Sequence, residues 1–283
     1  MAGLDFKRIY NTELTDKQFA RLSDFIYTNY GIKMPPVKKI MLQSRLHKRL
    51  KALDITSFDE YLSYVFDDHS HAEEVVNMID VVSTNKTDFY REPAHFDFLN
   101  DIALPHLTSQ GSKQVNIWSA GCSSGEEPYT MGICLNEFAS KHSGMDYFIK
   151  ATDISTKVLQ HAVSGVYAEN RIDVIPLALK HKYFLKSKDR SDPRVKVVKL
   201  LRDKISFQRL NFMDNQYAIN EVFDIVFCRN VLIYFDKKTQ EAVIRKQCAR
   251  LRPGGFYFLG HSESTAGLDV PLRQIKPTIF ERI

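Results

Sequence analysis

The chain of 283 residues is 44% hydrophobic and 26% charged. That is ordinary globular usage, which excludes a disordered or fibrous chain and allows one large domain or two smaller ones. Its net charge of +5 is unevenly placed: residues 1–56 hold 11 Lys/Arg against 5 Asp/Glu, whereas the remaining 227 hold 28 against 29. A basic N-terminal fifth points to an acidic partner. No stretch reaches the ~18 apolar residues of a membrane span. The segment 1–15 lacks the apolar run of a secretory signal. Cys122, Cys134, Cys228 and Cys248 form no C-x-x-C pair, so a cytoplasmic protein with neither zinc site nor disulfide framework is expected.

The first 80 or so residues read as helices. Thr15–Gln18 has capping-box form, and Phe19, Leu22, Phe25 and Ile26 then make one stripe. Gly31 and Pro35-Pro36 end that segment. A second helix is expected over Val37–Leu53, with Leu42, Leu46, Leu50 and Leu53 on its apolar face. Lys38, Arg45 and Arg49 form an adjacent stripe with Lys48 beside it, and no acid lies between Lys38 and Lys51. Ser57–Glu60 opens a third helix, and Ala72–Val82 makes a fourth. From residue 115 short apolar runs alternate with helical stretches: Val115–Ala120, Tyr147–Thr152, Ile205–Leu210, Phe223–Cys228 and Phe256–Gly260, with helices over Ser155–Ser164 and Lys237–Leu251. Such alternation predicts an α/β sheet of mostly parallel strands. Phe184-Leu185 and Val195–Leu201 predict a small β insertion, and Arg252–Gly255 predicts a turn before the last strand.

Four segments carry chemistry. Val115–Ala120 runs into Gly121-Cys-Ser-Ser-Gly125-Glu126-Glu127, a strand, a glycine loop and a helix start. The G-x-x-x-G spacing is neither the dinucleotide fingerprint nor a P-loop. Acids at the helix N-terminus suit the helix dipole and repel a pyrophosphate, so a ligand with cationic character is expected. Asp153 closes the next strand, where a carboxylate takes ribose hydroxyls in nucleoside-binding sheets; it could equally cap the next helix. Phe223–Cys228 ends in Arg229-Asn230 at the carboxyl edge, with Tyr234 four residues on; these two residues either line a ligand site or satisfy loop carbonyls. Finally, Ser83–Pro93 packs small polar, aromatic and arginine side chains together, and by composition reads as a helix start capped by Asn85 or Thr87.

In this order and at these separations, TNKTDFYRE (84–92), IWSAGCSSGEEPY (117–129), ATDIS (151–155), FDIVFCRNVLIYFDKKTQ (223–240) and PGGFYFLGHSES (253–264) resemble the chemoreceptor glutamate methyltransferases, the CheR family. The likeness spans nearly the whole chain. It implies an enzyme that uses S-adenosylmethionine to form glutamyl methyl esters on bacterial chemoreceptors, leaving S-adenosylhomocysteine. The implied architecture is an N-terminal helical receptor-docking domain (1–84), a linker with a cofactor-contacting segment (85–114), and a class I methyltransferase domain (115–283) with a β subdomain near 183–201. By motif position the resemblance assigns Asn85, Thr87, Arg91, Glu126, Asp153, Asn211, Phe212, Arg229 and Asn230 to the cofactor, with Glu126 chosen over Glu127. It places Arg91 and Tyr234 nearest the transferred methyl. It implies no metal.

The implied partners are the cytoplasmic methylation helices of transmembrane chemoreceptors, met by a monomer that does not insert into the membrane. Lys38, Arg45, Lys48 and Arg49 are the expected docking strip for those glutamate-rich helices. Relatives that tether to a receptor C-terminal peptide carry glycines in the β-subdomain loop. Lys186–Arg194 has none, so no tether is expected. His261 is expected to be structural. Two rival readings are a methyltransferase acting on nucleic acid and a non-catalytic cofactor-binding sensor. Against the first, no aromatic run interleaves with the basic residues and no N/D-P-P-Y motif is present, so no nucleic-acid partner is expected.

Overall fold

Thr15 starts the first helix as its spacing predicts. Its hydroxyl accepts Gln18 N–H while Gln18 Oε1 accepts Thr15 N–H at 2.8 Å. This computed structural model describes residues 12–66, 71–189 and 191–283. Most of the N-terminal segment read against a signal peptide, together with Lys7, Arg8 and Arg190, lies outside the described residues. The chain divides into two units, Met1–Thr84 and Asn85–Ile283.

In the first unit α1 (Asp16–Tyr30) stops at Gly31, whose left-handed φ of 71° no other residue adopts as cheaply. The second helix begins two residues later than expected. A 3-10 turn over Pro36–Lys38 leads into α2 (Lys39–Leu53), because Pro36 suits a first turn and not a helix interior. Leu42, Leu46 and Leu50 are fully buried, each stabilising the unit by about 1.5–3 kcal/mol. Helices α3 (Phe58–Phe66) and α4 (Ala72–Val82) follow.

In the second unit the expected linker is an integral part of the domain. Its helix starts at Pro93 and not at Asn85 or Thr87: α5 (Pro93–Phe98) passes through a π turn (Leu99–Ala103) into α6 (Leu104–Ser109). Phe96, Phe98, Leu99, Leu104 and Leu107 join the same core as Phe227 and Phe258 of the sheet. The strands are β1 (Gln114–Ala120), β2 (Asp146–Asp153), β3 (Val166–Ala168), β4 (Phe184–Lys186), β5 (Arg194–Val197), β6 (Ile205–Arg209), β7 (Phe223–Cys228), β8 (Leu251–Leu259), β9 (Leu272–Lys276) and β10 (Ile279–Arg282). The helices between and beside them are α7 (Glu126–Ala139), α8 (Thr156–Ser164), α9 (Leu177–Tyr183), α10 (Lys199–Arg202) and α11 (Lys237–Cys248).

The main sheet runs β6-β2-β1-β7-β8-β10-β9, parallel except where β10 lies antiparallel to β8 and β9. The apolar run Ile225–Cys228 of β7 follows from burial on both faces. Ile225 and Phe227 enter one core, and Val226 and Cys228 the other. The β insertion is a separate sheet, β3-β5-β4. Two expectations need correction here. The run Val195–Leu201 is strand only to Val197 and then turns helical. Arg252–Gly255 is not a turn before a strand but lies within β8, as a bulge that breaks register with β7 between Phe223 and Ile225; Gly254 takes a φ of 72° there.

Candidate active site

Strands β1 and β7 are neighbours whose connections leave to opposite sides, β1 through α7 to β2 and β7 through α11 to β8. This is the switch point at which open α/β sheets bind ligands beyond the strands' carboxyl ends. The loops after both strands meet there. A Cβ on Gly121 would stand 2.4 Å from Val231 Cγ2, and one on Gly125 2.9 Å from both Ala162 and the Tyr167 hydroxyl, so both positions demand glycine. Gly121 and Cys122 N–H groups donate to Thr152 O at 2.7 and 2.9 Å, folding the loop over the end of β2.

Asp153, at that end, is buried. Its Oδ2 accepts Ser123 N–H at 2.8 Å and its Oδ1 accepts Ser155 N–H at 2.9 Å. Ser155 itself caps α8, so the carboxylate secures two backbone turns. Leu210 N–H donates to Asp153 O at 2.9 Å, which brings Asn211 and Phe212 alongside. Asn211 Oδ1 accepts Met213 N–H, and Phe212 is buried against Tyr217 and Phe235. Asn85 and Thr87 are half-buried. Asn85 O accepts the Ser123 hydroxyl at 2.9 Å, so the 84–92 segment is pinned to the glycine loop.

The adjacent glutamates differ. Glu126 is 1% exposed, with Oε2 accepting the Ser124 hydroxyl at 2.6 Å and Oε1 accepting Arg171 Nη2 at 2.7 Å. Glu127 accepts the Ser119 hydroxyl at 2.7 Å and lies 3.5 Å from Arg229 Nε; burial pushes its carboxyl up, against the pull of Arg229. Arg171 escaped sequence reading. It stands 45 positions from its partner, in the excursion toward the small sheet, and no local pattern marks it.

Arg229 is buried between carboxylates. Its Nε lies 3.3 Å from Glu92 Oε2 as well as near Glu127, and its Nη2 donates to Arg91 O. Burial would raise Glu92, but Arg229, the His261 N–H and Asn230 outweigh it and hold the carboxyl below its usual range. Burial, then Arg229, push His95 down to about 4. Glu92, His95 and His261 approach within 4.8 Å of one another, yet Arg229 already balances that carboxylate. Asn230 takes a left-handed φ of 59° and donates to Glu92 Oε1 at 3.3 Å. The motif segments also hold Tyr90, Glu92 and Ser123 left-handed, strain of the kind stored at functional sites. Arg91 is half-buried and donates to Lys86 O at 2.8 Å; Tyr234, in a 3-10 turn over Leu232–Tyr234, is also half-buried.

The basic strip belongs to the first unit and is not the open row its sequence implies. Arg49 Nε and Nη2 grip Glu74 at 2.9 and 2.5 Å, and Tyr61 OH donates to the same carboxylate at 2.9 Å. Glu74 is buried on α4 and requires a countercharge, which Arg49 supplies. Arg45 donates to Val82 O and to Ser83 O, tying down the end of α4. Lys38 is half-buried with Nζ 3.5 Å from Lys33 O, and Lys48 is exposed. Among the described residues, no helix is long and apolar enough to cross a membrane.

Residues 85–280 match the family model described as "CheR methyltransferase, SAM binding domain", and residues 17–83 match "CheR methyltransferase, all-alpha domain". A chemotaxis protein methyltransferase of Borreliella burgdorferi is 37% identical over 278 residues, 96% of each chain. Chemotaxis protein methyltransferase 2 of Pseudomonas aeruginosa is 35% identical, covering 94% of this chain and 93% of its own. The Escherichia coli chemotaxis protein methyltransferase is 35% identical, covering 90% and 87%.

Proposed function

The chain belongs to the CheR methyltransferase family, and on that premise we propose that it esterifies glutamate side chains on the cytoplasmic helices of bacterial chemoreceptors. Its second unit is the S-adenosylmethionine-binding domain. The observation that carries the reading is charge. At the switch point the carboxylates of Glu92 and Glu127 face the guanidinium of Arg229, with Asp153 across the glycine loop. Carboxylates gathered around a buried pocket suit a ligand that is cationic at one end and bears ribose hydroxyls at the other. The residues present therefore fit the cofactor.

When bound, S-adenosylmethionine supplies an electrophilic methyl on a sulfonium. A glutamate substrate has an ordinary pKa of ~4.3 and arrives as an anion, so no general base is required. This agrees with the residues at hand, which include no activated hydroxyl or thiol: burial pushes both Cys122 and Cys228 up, away from thiolate. The remaining work is alignment and removal of water, and alignment alone is worth up to ~7–11 kcal/mol. In this reading Asp153 takes the ribose, Asn211 and Phe212 flank the adenine, and Asn85 and Thr87 close over the loop. Glu126 acts through Ser124 and Arg171, while Arg229 and Asn230 complete the wall. Arg91 offers its planar fork to the incoming carboxylate, and Tyr234 lies beside the methyl. Receptor helices dock on α2 through Lys48 and Lys38, without a peptide tether. The protein works in the cytoplasm.

The test is incubation with tritiated S-adenosylmethionine and receptor-bearing membranes. Radioactive methanol released by mild base is expected, since esters hydrolyse and N-methyl groups do not. Label that is base-stable, or found only on nucleic acid, sinks the reading.

A further inference from the structure

The loop leaving β7 is knotted onto one side chain. Glu263, just after β8, is 8% exposed and accepts four backbone N–H groups. Its Oε2 takes Asn230 at 2.8 Å and Gly260 at 2.7 Å; its Oε1 takes Leu232 at 2.7 Å and Ile233 at 3.3 Å. These contacts span residues 230–233 and stop one residue short of Tyr234. Asn230 is clamped from the other side as well: a Cβ on Gly260 would stand 2.4 Å from Asn230 Nδ2. A carboxylate is an acceptor at both oxygens, so four donors converge on it without conflict. A glutamine amide there would turn its own N–H groups against two of them.

We infer that Glu263 is a positioning residue for methyl transfer. It sets the left-handed Asn230 and the turn that presents Tyr234, and it touches neither cofactor nor substrate. The inference rests on the proposed roles of Asn230 and Tyr234.

The test uses the full chain. Wild-type enzyme is first assayed for base-labile methyl esters; if none form, the functional reading has failed before any variant is examined. With an active wild type, Glu263→Gln is expected to lose at least about tenfold in kcat, with KM for receptor little changed and S-adenosylmethionine affinity, through Asn230, falling by less than kcat does. Ile149→Val, fully buried in β2 within the core that Ile225 and Phe227 enter, lowers the melting temperature away from the 230–234 loop and should keep kcat. Gly260→Ala pushes Asn230 from the opposite side and should repeat the kcat-selective loss; it carries the test if Glu263→Gln does not fold. A kcat within about twofold of wild type, a loss confined to KM or cofactor affinity, or an equal kcat loss in Ile149→Val overturns the inference.

Discussion

Arg171 Nη2 donates to Glu126 Oε1 at 2.7 Å, and the same guanidinium reaches Thr87 O at 2.6 Å and Asp88 Oδ1 at 2.7 Å. One side chain from the excursion between β3 and α9 thus holds both the start of α7 and the 84–92 segment. Arg171→Met should leave Glu126 buried with only the Ser124 hydroxyl. Breaking a fully buried pair costs about 3–5 kcal/mol. Arg171 keeps 38% of its side chain exposed, so a loss nearer ~2 kcal/mol is expected in urea unfolding. Cofactor affinity should fall too, because Thr87 loses its tie. Unchanged stability together with unchanged affinity would remove Arg171 from the site.

Asp153 joins two backbone turns, so its substitution must be read in two steps. Asp153→Ala should lose roughly 1.5–3 kcal/mol of S-adenosylmethionine binding, the range for hydrogen bonds to a charged group. Asp153→Asn keeps one acceptor oxygen and the side-chain volume, and should lose less. Calorimetry in which a folded Asp153→Ala binds normally would end the ribose assignment.

Arg91 and Tyr234 should act on turnover more than on cofactor binding. Arg91→Ala should lower kcat by about 10–100-fold through misalignment of the carboxylate, while cofactor affinity moves by less than about threefold. Tyr234→Phe removes only a hydroxyl, so about 3–10-fold is expected. Equal losses in affinity and turnover would recast Arg91 as a cofactor ligand alone.

How much of this was legible in the sequence varied with how local the cause is. The capping box at Thr15, the strand Phe223–Cys228 and the helix Ala72–Val82 fall where periodicity and caps place them, since each is decided by residues within one or two turns. The C-terminal hairpin went unread because β9 is an exposed edge strand with no apolar alternation. The three-residue β3 is too short to leave a pattern. The glycine loop, Asp153 and Arg229-Asn230 were found as motifs. Their tertiary partner Arg171 was not, and Glu263, inside the 253–264 motif, carried no assigned role, since a buried carboxylate's donors are chosen by the fold and lie 30 to 45 positions away.

His95 gives the second unit a pH dependence of known sign. The ring is 1% exposed and donates to or accepts from Thr278 Oγ1 at 2.8 Å, with Glu92 Oε2 3.4 Å, Arg229 and His261 around it. Its pKa of about 4 lies below the unfolded value of ~6.5, so the unfolded chain binds the proton first. Stability is therefore full above pH ~6.5 and declines as pH falls toward ~4, by about 3 kcal/mol for this group. Glu92, beside the ring, is held below its usual range against burial by Arg229 and stays in the variant. Urea midpoints of His95→Gln, measured from pH 7 to 4, should fall less steeply than those of wild type. Parallel curves would show that His95 does not titrate in that window.

The docking strip must be tested without breaking the first unit. Reversing Arg49 would place a new acid against buried Glu74, which otherwise accepts the Tyr61 hydroxyl at 2.9 Å and Asn77 Nδ2 at 3.5 Å. That change would unfold the helices and abolish methylation for a reason unrelated to receptors. Removing one partner of such a pair costs about 3–5 kcal/mol, so Arg49→Met should lower urea stability by about that much, whether or not α2 meets a receptor. Lys48 is the better probe because it is exposed. Lys48→Glu should leave folding and cofactor binding intact and raise KM for receptor membranes at low salt, with kcat nearly unchanged. A rim charge chiefly steers encounter, contributing ~0–1 kcal/mol, so an increase of about 2–5-fold is expected. The difference should vanish above ~0.3 M salt, where screening is shorter than ~10 Å. Trimming the receptor's last residues should leave the wild-type rate unchanged. Normal KM in Lys48→Glu at low salt, or loss of methylation on trimming, would reject docking through α2.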